Sequence, residues 1–454
     1  AGVDGEILER KTLPQFLAML KFDRLLTYKA DPIRRVFIPK GLHDQRPLGI
    51  PTIKDRIVQT LFLQVLDPVL DVHADRHSYG FRKGRNAQQA IGRLSKLLFQ
   101  RPSSRRGVDG DKERYFVHRK HVLNIDVRKF FDSVHHQWLL REYPFPKKFI
   151  TILEQWLQSS SEYESGFPQG SVIGPSLANF TLDGLSVSIR PERKTAFDGG
   201  KYDYYRRRGF LYNSSSSVVR KALTCDMVRY ADDFVIVTND AGLVLSVKNS
   251  VEQFLKVRGL SINEDKSSVI EWKDGAKFSY LGFTFHYILH PLSSRVTTCG
   301  EDWMRSGLYV YPADDRLLRF KKKIKQTIIA GINSSPYQLI STLNPIIRGW
   351  GTYFGLGNLR VFSRLDHYIW RRTWRYMRRK YKKVSAKHLV ERYYQGVESP
   401  SGRLWHFHAT WQGAGQDTLK RRGNVVWIRL LCKQNTPIPA HMVAADKMVL
   451  DTSY

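Results

Sequence analysis

Asp232 and Asp233 stand side by side in Val-Arg-Tyr-Ala-Asp-Asp-Phe-Val-Ile-Val, residues 228–237, between two apolar runs. Two anions at the end of buried strands are costly to desolvate unless something neutralises them. A hard divalent cation, held by carboxylate oxygens against a phosphate, is the usual answer. A third carboxylate, Asp126, closes the strand-like run Val122-Leu123-Asn124-Ile125. One acid from a strand and another from a neighbouring hairpin can hold two Mg²⁺ about 3.5–4 Å apart. One ion then activates an attacking hydroxyl and the other stabilises the leaving oxygen. Alone, an Asp-Asp pair is more often a solvated turn, so the metal reading requires a fold that unites Asp126 with Asp232.

Such a site needs a scaffold of strands and loops. Met227-Val228 and Phe234-Val235-Ile236-Val237 read as buried strands of one hairpin with the two acids at its tip. Between the acid blocks lies Gly166-Phe167-Pro168-Gln169-Gly170-Ser171, followed by a helix-like run to Asn179. Its glycines and proline make a tight loop that lets backbone approach a substrate closely. Gln169 can donate to a nucleotide or its sugar; an ordinary loop and helix start is the plainer reading. Further on, Leu317, Phe320, Ile324 and Ile328 fall on one face of an amphipathic helix that starts near Pro312 and Asp314. A second helix, near Leu365–Lys383, carries Arg371, Arg372, Arg375, Arg378, Arg379, Lys380, Lys382 and Lys383 with no acid after Asp366. Solvated faces normally mix both signs, so this one is read as a phosphate-contacting surface, with Trp370, Trp374, Tyr376 and Tyr381 interleaved.

The chain has 454 residues with 73 Lys and Arg against 42 Asp and Glu, a net charge of +31. That length accommodates two or three domains, and the charge points to a polyanionic partner, nucleic acid first. An anionic membrane surface is the second candidate, but no apolar run approaches the roughly 18–20 residues of a bilayer span, so an integral membrane location is not expected and no membrane is counted among the partners. Cys225, Cys299 and Cys432 form neither a disulfide framework nor a CxxC pair, and are read as reduced thiols of an intracellular protein. Two hydrophilic insertions, roughly 101–120 and 190–220, are expected to be loops.

The ordered blocks resemble group II intron-encoded reverse transcriptases, the maturase family, over nearly the whole chain. Arg35-Val36-Phe37-Ile38-Pro39-Lys40, Arg46-Pro47-Leu48-Gly49-Ile50-Pro51, Lys54-Asp55-Arg56 and Ser78-Tyr79-Gly80-Phe81-Arg82 are similar to that family's fingers. The Asp126 block, Pro168-Gln169-Gly170 and Tyr230-Ala231-Asp232-Asp233 match its palm, and Gly259–Lys266 and Tyr280-Leu281-Gly282-Phe283 its later palm blocks. Leu343-Asn344-Pro345-Ile346-Ile347-Arg348-Gly349-Trp350 is similar to the signature of its thumb, domain X.

The resemblance implies an α+β right-hand polymerase fold: fingers and palm over 1–295, a helical thumb over 296–395 and a basic C-terminal region over 396–454. Asp126, Asp232 and Asp233 would be the catalytic acids and, with the carbonyl of Val127, the ligands of two Mg²⁺, for which Mn²⁺ could substitute. Phe131 would exclude ribonucleotides, Lys40 and Arg46 would neutralise the incoming triphosphate, and Gln169 would pack at the nucleotide pocket. Tyr280, Leu281 and Gly282 would grip the primer end, while Arg371, Arg375 and Arg378 would hold primer and template. The implied function is RNA-directed DNA synthesis with binding of structured intron RNA and assistance to splicing, in a bacterial cytoplasm or an organelle. The implied partners are intron RNA, an RNA template with DNA primer, and dNTPs. A splicing cofactor with dispensable polymerase activity and a structural ribonucleoprotein subunit are the alternatives. The chain departs from the family at Val127-Arg128-Lys129, Ser171 and Gly174, beside the acids but not at them. Thr436-Pro437-Ile438-Pro439-Ala440-His441 resembles the end of the post-thumb region, and with one Cys beyond residue 400 an HNH endonuclease is not expected.

Overall fold

The apolar run Phe234–Val237 is wholly buried because helices cover both faces of the sheet that contains it. The computed structural model describes residues 2–7, 14–15, 25–40, 44–99, 103–106, 112–115, 120–159, 165–190, 210–212, 219–221, 225–288, 307–356, 359–399, 402–411 and 421–424. They belong to two compact units, Ala1–Ala276 and Lys277–Tyr454.

In the first unit, strands β1 (Arg34–Lys40) and β2 (Asp44–Ile50) form an antiparallel hairpin. Helices α1 (Ile53–His73) and α2 (Ala87–Leu98) follow, the latter opened by a reciprocal capping box between Asn86 and Gln89. Strands β3 (Ser103–Arg106) and β4 (Lys112–Tyr115) pair with each other. Next come β5 (Lys120–Ile125), α3 (His136–Glu142), α4 (Ile150–Gln158) and α5 (Gly174–Leu182). A second short hairpin joins β6 (Phe210–Tyr212) to β7 (Val219–Lys221). Strands β8 (Cys225–Tyr230) and β9 (Asp233–Thr238), helix α6 (Gly242–Lys256) and β10 (Ser268–Trp272) complete the unit. Both insertions read as loops therefore contain paired strands within their described residues.

The central sheet is antiparallel throughout, in the order β10-β5-β9-β8. Alternation along β9 sends Phe234 and Ile236 into a core with Leu123, Ile125, Met227 and the Val247-Val251-Leu255 stripe of α6. Val235 and Val237 point to the opposite face. Arg93 of α2 pairs with Asp226 of β8 at 3.3 Å. Burying each of these side chains contributes about 1.5–3 kcal/mol, so the hairpin's position is set by packing on both sides.

In the second unit, β11 (Lys277–Tyr280), β12 (Phe283–Tyr287) and β13 (Leu308–Pro312) form one antiparallel sheet. Strands β11 and β12 pair with β13 and not with the central sheet, and the division between the two compact units falls after Ala276. Helix α7 (Asp314–Ala330) has two acids in its first turn and buries Phe320, Ile324 and Ile328. Helix α8 (Pro336–Phe354) is opened by a Ser335–Gln338 capping box with proline in the first turn. Helices α9 (Leu359–Lys380) and α10 (Ala386–Tyr393) follow. Strands β14 (Tyr394–Ser399), β15 (Gly402–Trp411) and β16 (Arg421–Asn424) form a sheet that runs from the last residues of the expected thumb into the region read as a basic tail. Cys299, Cys432 and 436–441 lie outside the described residues. Burial pushes the Cys225 thiol up to about 12, so it stays protonated at neutral pH. Among the described residues no helix is long and apolar enough to cross a membrane.

Candidate active site

Asp126 follows β5 directly, and the last rung of that ladder pairs Ile125 with Phe234. The next step of the same register sets Asp126 level with Asp233, one residue from Asp232. Ala231 and Asp232 form a two-residue turn closed by the Tyr230–Asp233 pair, and Ala231 has a φ of 57°. Asp126, Val127 and Asp232 open into one cleft of about 610 Å³. Asp233 is exposed at the start of β9 and is not among the residues lining that cleft.

The block Gly259–Lys266, with Ser267 after it, fixes Asp126. Asn263 Nδ2 donates to Asp126 Oδ2 at 3.0 Å, and the Asp126 amide donates to Ser267 Oγ at 3.1 Å. Backbone bonds from Asn263 N to Asp126 O and from Arg128 N to Ser261 O flank Val127, leaving its carbonyl outside that bridge. Lys266 lines the same cleft and brings a cation to it. The block was visible in the sequence, but the role of Asn263 within it was not, because its partner is 137 residues away.

The turn carrying Asp232 rests on residues 77–80. The Tyr79 amide donates to Arg229 O at 2.8 Å and the Arg229 amide to His77 O at 2.9 Å, a short parallel bridge. Gly80 packs so tightly beneath the turn that a Cβ there would lie 2.4 Å from Ala231 N. Asn179 Nδ2 holds the Gly80 carbonyl at 2.9 Å. The Arg229 side chain is fully buried, ion-paired with Asp183 and 3.4 Å from Asn179 Oδ1. Burial pushes the Asp183 carboxyl up, and the Arg229 charge opposes that shift.

The remaining cleft residues come from loops locked to α1 and β2. Gln59 of α1 accepts the Val172 amide through Oε1 at 2.9 Å, and the Gly49 amide donates to Gln169 O at 2.7 Å. Gly170, with φ 113°, leaves no room for a side chain, since a Cβ would meet Gly49 O at 2.7 Å. Phe131 and Gln169 line both the acid cleft and a neighbouring hollow of about 330 Å³. Phe131 is held edge-on by Phe130 and Phe167, with centroids at 5.4 and 5.3 Å. Arg46 lines the acid cleft and is exposed. Lys40 pairs with Asp44 at the end of the β1–β2 hairpin, but its side chain lies outside the described residues.

In the second unit, Leu281 and Gly282 form the two-residue turn between β11 and β12, with φ 50° and 77°. Tyr353 donates its hydroxyl to Leu281 O at 3.1 Å and the Ala313 amide donates to Gly282 O at 2.9 Å. Tyr280 is 4% exposed and so lies buried beneath the turn it precedes. Arg371, Arg375 and Arg378 are exposed along α9.

Among the described residues no cluster of three or more His, Cys, Asp or Glu side chains could hold a metal. Two carboxylates and a carbonyl nevertheless fit Mg²⁺, which commonly takes one or two protein carboxylates and completes its shell with water and substrate phosphates. Both acids supply hard oxygens, and the Asn263 bond orients one of them.

Residues 38–285 match the reverse transcriptase (RNA-dependent DNA polymerase) family, and 317–394 match the group II intron maturase-specific domain. Protein YkfC of Escherichia coli is 30% identical over 303 residues, 62% of this chain and 74% of that protein. The COX1/OXI3 intron 2 protein of Saccharomyces cerevisiae is 26% identical over 379 residues, 75% of this chain and 40% of that protein. The group II intron-encoded protein LtrA of Lactococcus lactis is 25% identical over 394 residues, 76% of this chain and 63% of that protein. The chain thus spans less than two thirds of the yeast and lactococcal relatives. With the reverse transcriptase match over residues 38–285 and the maturase-specific domain over 317–394, the chain belongs to the reverse transcriptases of the group II intron type, and divalent-metal dependence comes with that family.

Proposed function

We propose that the chain copies RNA into DNA and binds a structured intron RNA whose splicing it assists. The observation that carries this reading is the convergence of Asp126 and Asp232, far apart in sequence, on one cleft bordered by Phe131, Gln169 and Arg46. Two Mg²⁺ bound there would activate the primer 3′-hydroxyl and stabilise the leaving pyrophosphate oxygen. Asp126, Asp232 and the Val127 carbonyl supply the ligands, with Asp233 the remaining family acid beside them. The chain's own work is positioning and charge neutralisation, which dominate phosphoryl-transfer catalysis. Arg46, with Lys40 on the same hairpin, draws the triphosphate in. Gln169 borders the sugar and base, and the braced Phe131 ring occupies the space a ribose 2′-hydroxyl would need. The turn at Leu281-Gly282 presents backbone to the primer end with Tyr280. The exposed arginines of α9, Arg371, Arg375 and Arg378, neutralise phosphates of the bound nucleic acid. Relatives from bacteria and a yeast favour an intracellular site of action.

Primer extension on an RNA template with dNTPs and Mg²⁺ tests the reading. The unmodified chain should yield cDNA, while Asp232→Ala should yield none and bind RNA as before. Absence of product from both proteins, with RNA binding intact, would refute polymerase activity.

A further inference from the structure

Helix α9 carries two adjoining rows of side chains that its charge alone does not explain. Successive helical residues turn by about 100°, so His367, Trp370 and Trp374 share one edge and Arg364, Arg371, Arg375 and Arg378 the next. The opposite face is the buried stripe of Phe362, Leu365, Ile369 and Met377.

The rings are ordered. His367 and Trp370 stack at 5.9 Å with planes 18° apart, and Trp370 and Trp374 stand at 6.3 Å and 2°. Tyr394 packs edge-on against both indoles, at 6.4 and 5.6 Å. That tyrosine is buried, and its hydroxyl is 3.4 Å from Thr373 Oγ1. The indoles are therefore fixed from behind while each remains partly open to solvent. Beside them, Arg364, Arg371, Arg375 and Arg378 make no ion pair with a carboxylate among the described residues, and Asp366, the helix's one acid, is 3% exposed.

A duplex offers phosphates to such a surface but keeps its base faces inside the stack. An unpaired strand offers both, base faces on one side and phosphates on the other, which is what a ring row beside a cation row accommodates. Resting on the reading that this chain binds RNA, we infer that the α9 face takes an unpaired RNA segment. Its bases stack on Trp370 and Trp374, and its phosphates lie on Arg371, Arg375 and Arg378.

The test is fluorescence anisotropy of the full chain, without dNTPs, on a short oligouridine RNA and on an RNA duplex of equal length. The pair Trp370→Ala/Trp374→Ala should weaken oligouridine binding about 30-fold or more, since each stacked base contributes at least about fivefold. Duplex affinity should stay as it was. The salt slope on oligouridine should also persist, because the rings carry no charge, whereas Arg371→Gln/Arg375→Gln should lower it by about 2. The pair Trp370→Phe/Trp374→Phe, which keeps rings against Tyr394, should restore most of the oligouridine affinity. Equal loss on both ligands, oligouridine affinity untouched by the alanine pair, or no restoration by phenylalanine would each overturn the inference. Failure of primer extension by the unmodified chain would strike the polymerase reading alone and leave these binding results standing.

Discussion

Replacing Gly80 by alanine should damage catalysis from a residue that touches no substrate. The added Cβ would lie 2.4 Å from Ala231 N, 3.0 Å from Tyr230 C and 3.1 Å from Ala231 Cα, all backbone of the turn that carries Asp232. The shortest of these is about 1 Å inside ordinary van der Waals separation. Residues 77–80 cannot recede freely, because Tyr79 and His77 are bonded to Arg229 and Asn179 grips the Gly80 carbonyl. The relief must come largely from the turn. A displacement of about 1 Å at a catalytic group can cost about a hundredfold in rate, or about 2.7 kcal/mol in the barrier. Overpacking should remove a further 1–3 kcal/mol or so of stability. Single-nucleotide incorporation at saturating dNTP, normalised to folded protein by urea titration, measures both effects. Gly84→Ala is the control: its φ of +72° strains an alanine, but no atom lies within 4 Å, so it should lose stability without losing rate per folded molecule. Wild-type incorporation by Gly80→Ala, or an equal rate loss in Gly84→Ala, would refute the argument.

Other substitutions probe the neighbouring contacts. Asn263→Ala removes the donor that orients Asp126; incorporation should then need more Mg²⁺ for half-maximal rate, and an unchanged Mg²⁺ titration would contradict that role. Asp183→Asn leaves the buried Arg229 charge without its counter-ion, which should cost about 3–5 kcal/mol in the unfolding of the first unit; an unchanged urea midpoint would show that other acceptors suffice. Phe131→Ala opens the space beside Gln169 and should narrow the preference for dNTP over rNTP; retention of the wild-type ratio in competition assays would assign discrimination elsewhere.

The sequence alone carried the candidate chemistry and much of the local structure. Short apolar runs bounded by the acids marked β8 and β9, and the spacing of Phe320, Ile324 and Ile328 marked the buried face of α7, because strand and helix periodicity are set by near neighbours. The Asp232-Asp233 tip and the Asp126 strand end were legible for the same reason, and the block order carried the family. The separation of the two units after Ala276 was not legible, since β11 and β12 could have joined either sheet and pairing with β13 decided it. Nor was the bracing of the site: Asn263 on Asp126, Gly80 under Ala231 and the buried Arg229–Asp183 pair join residues separated by 137, 151 and 46 positions. Residue type and local spacing state what a side chain can do. Which distant groups come within bonding distance is fixed only when register and packing close the long loops between them, and that is where the tertiary structure placed Asp126 beside Asp232.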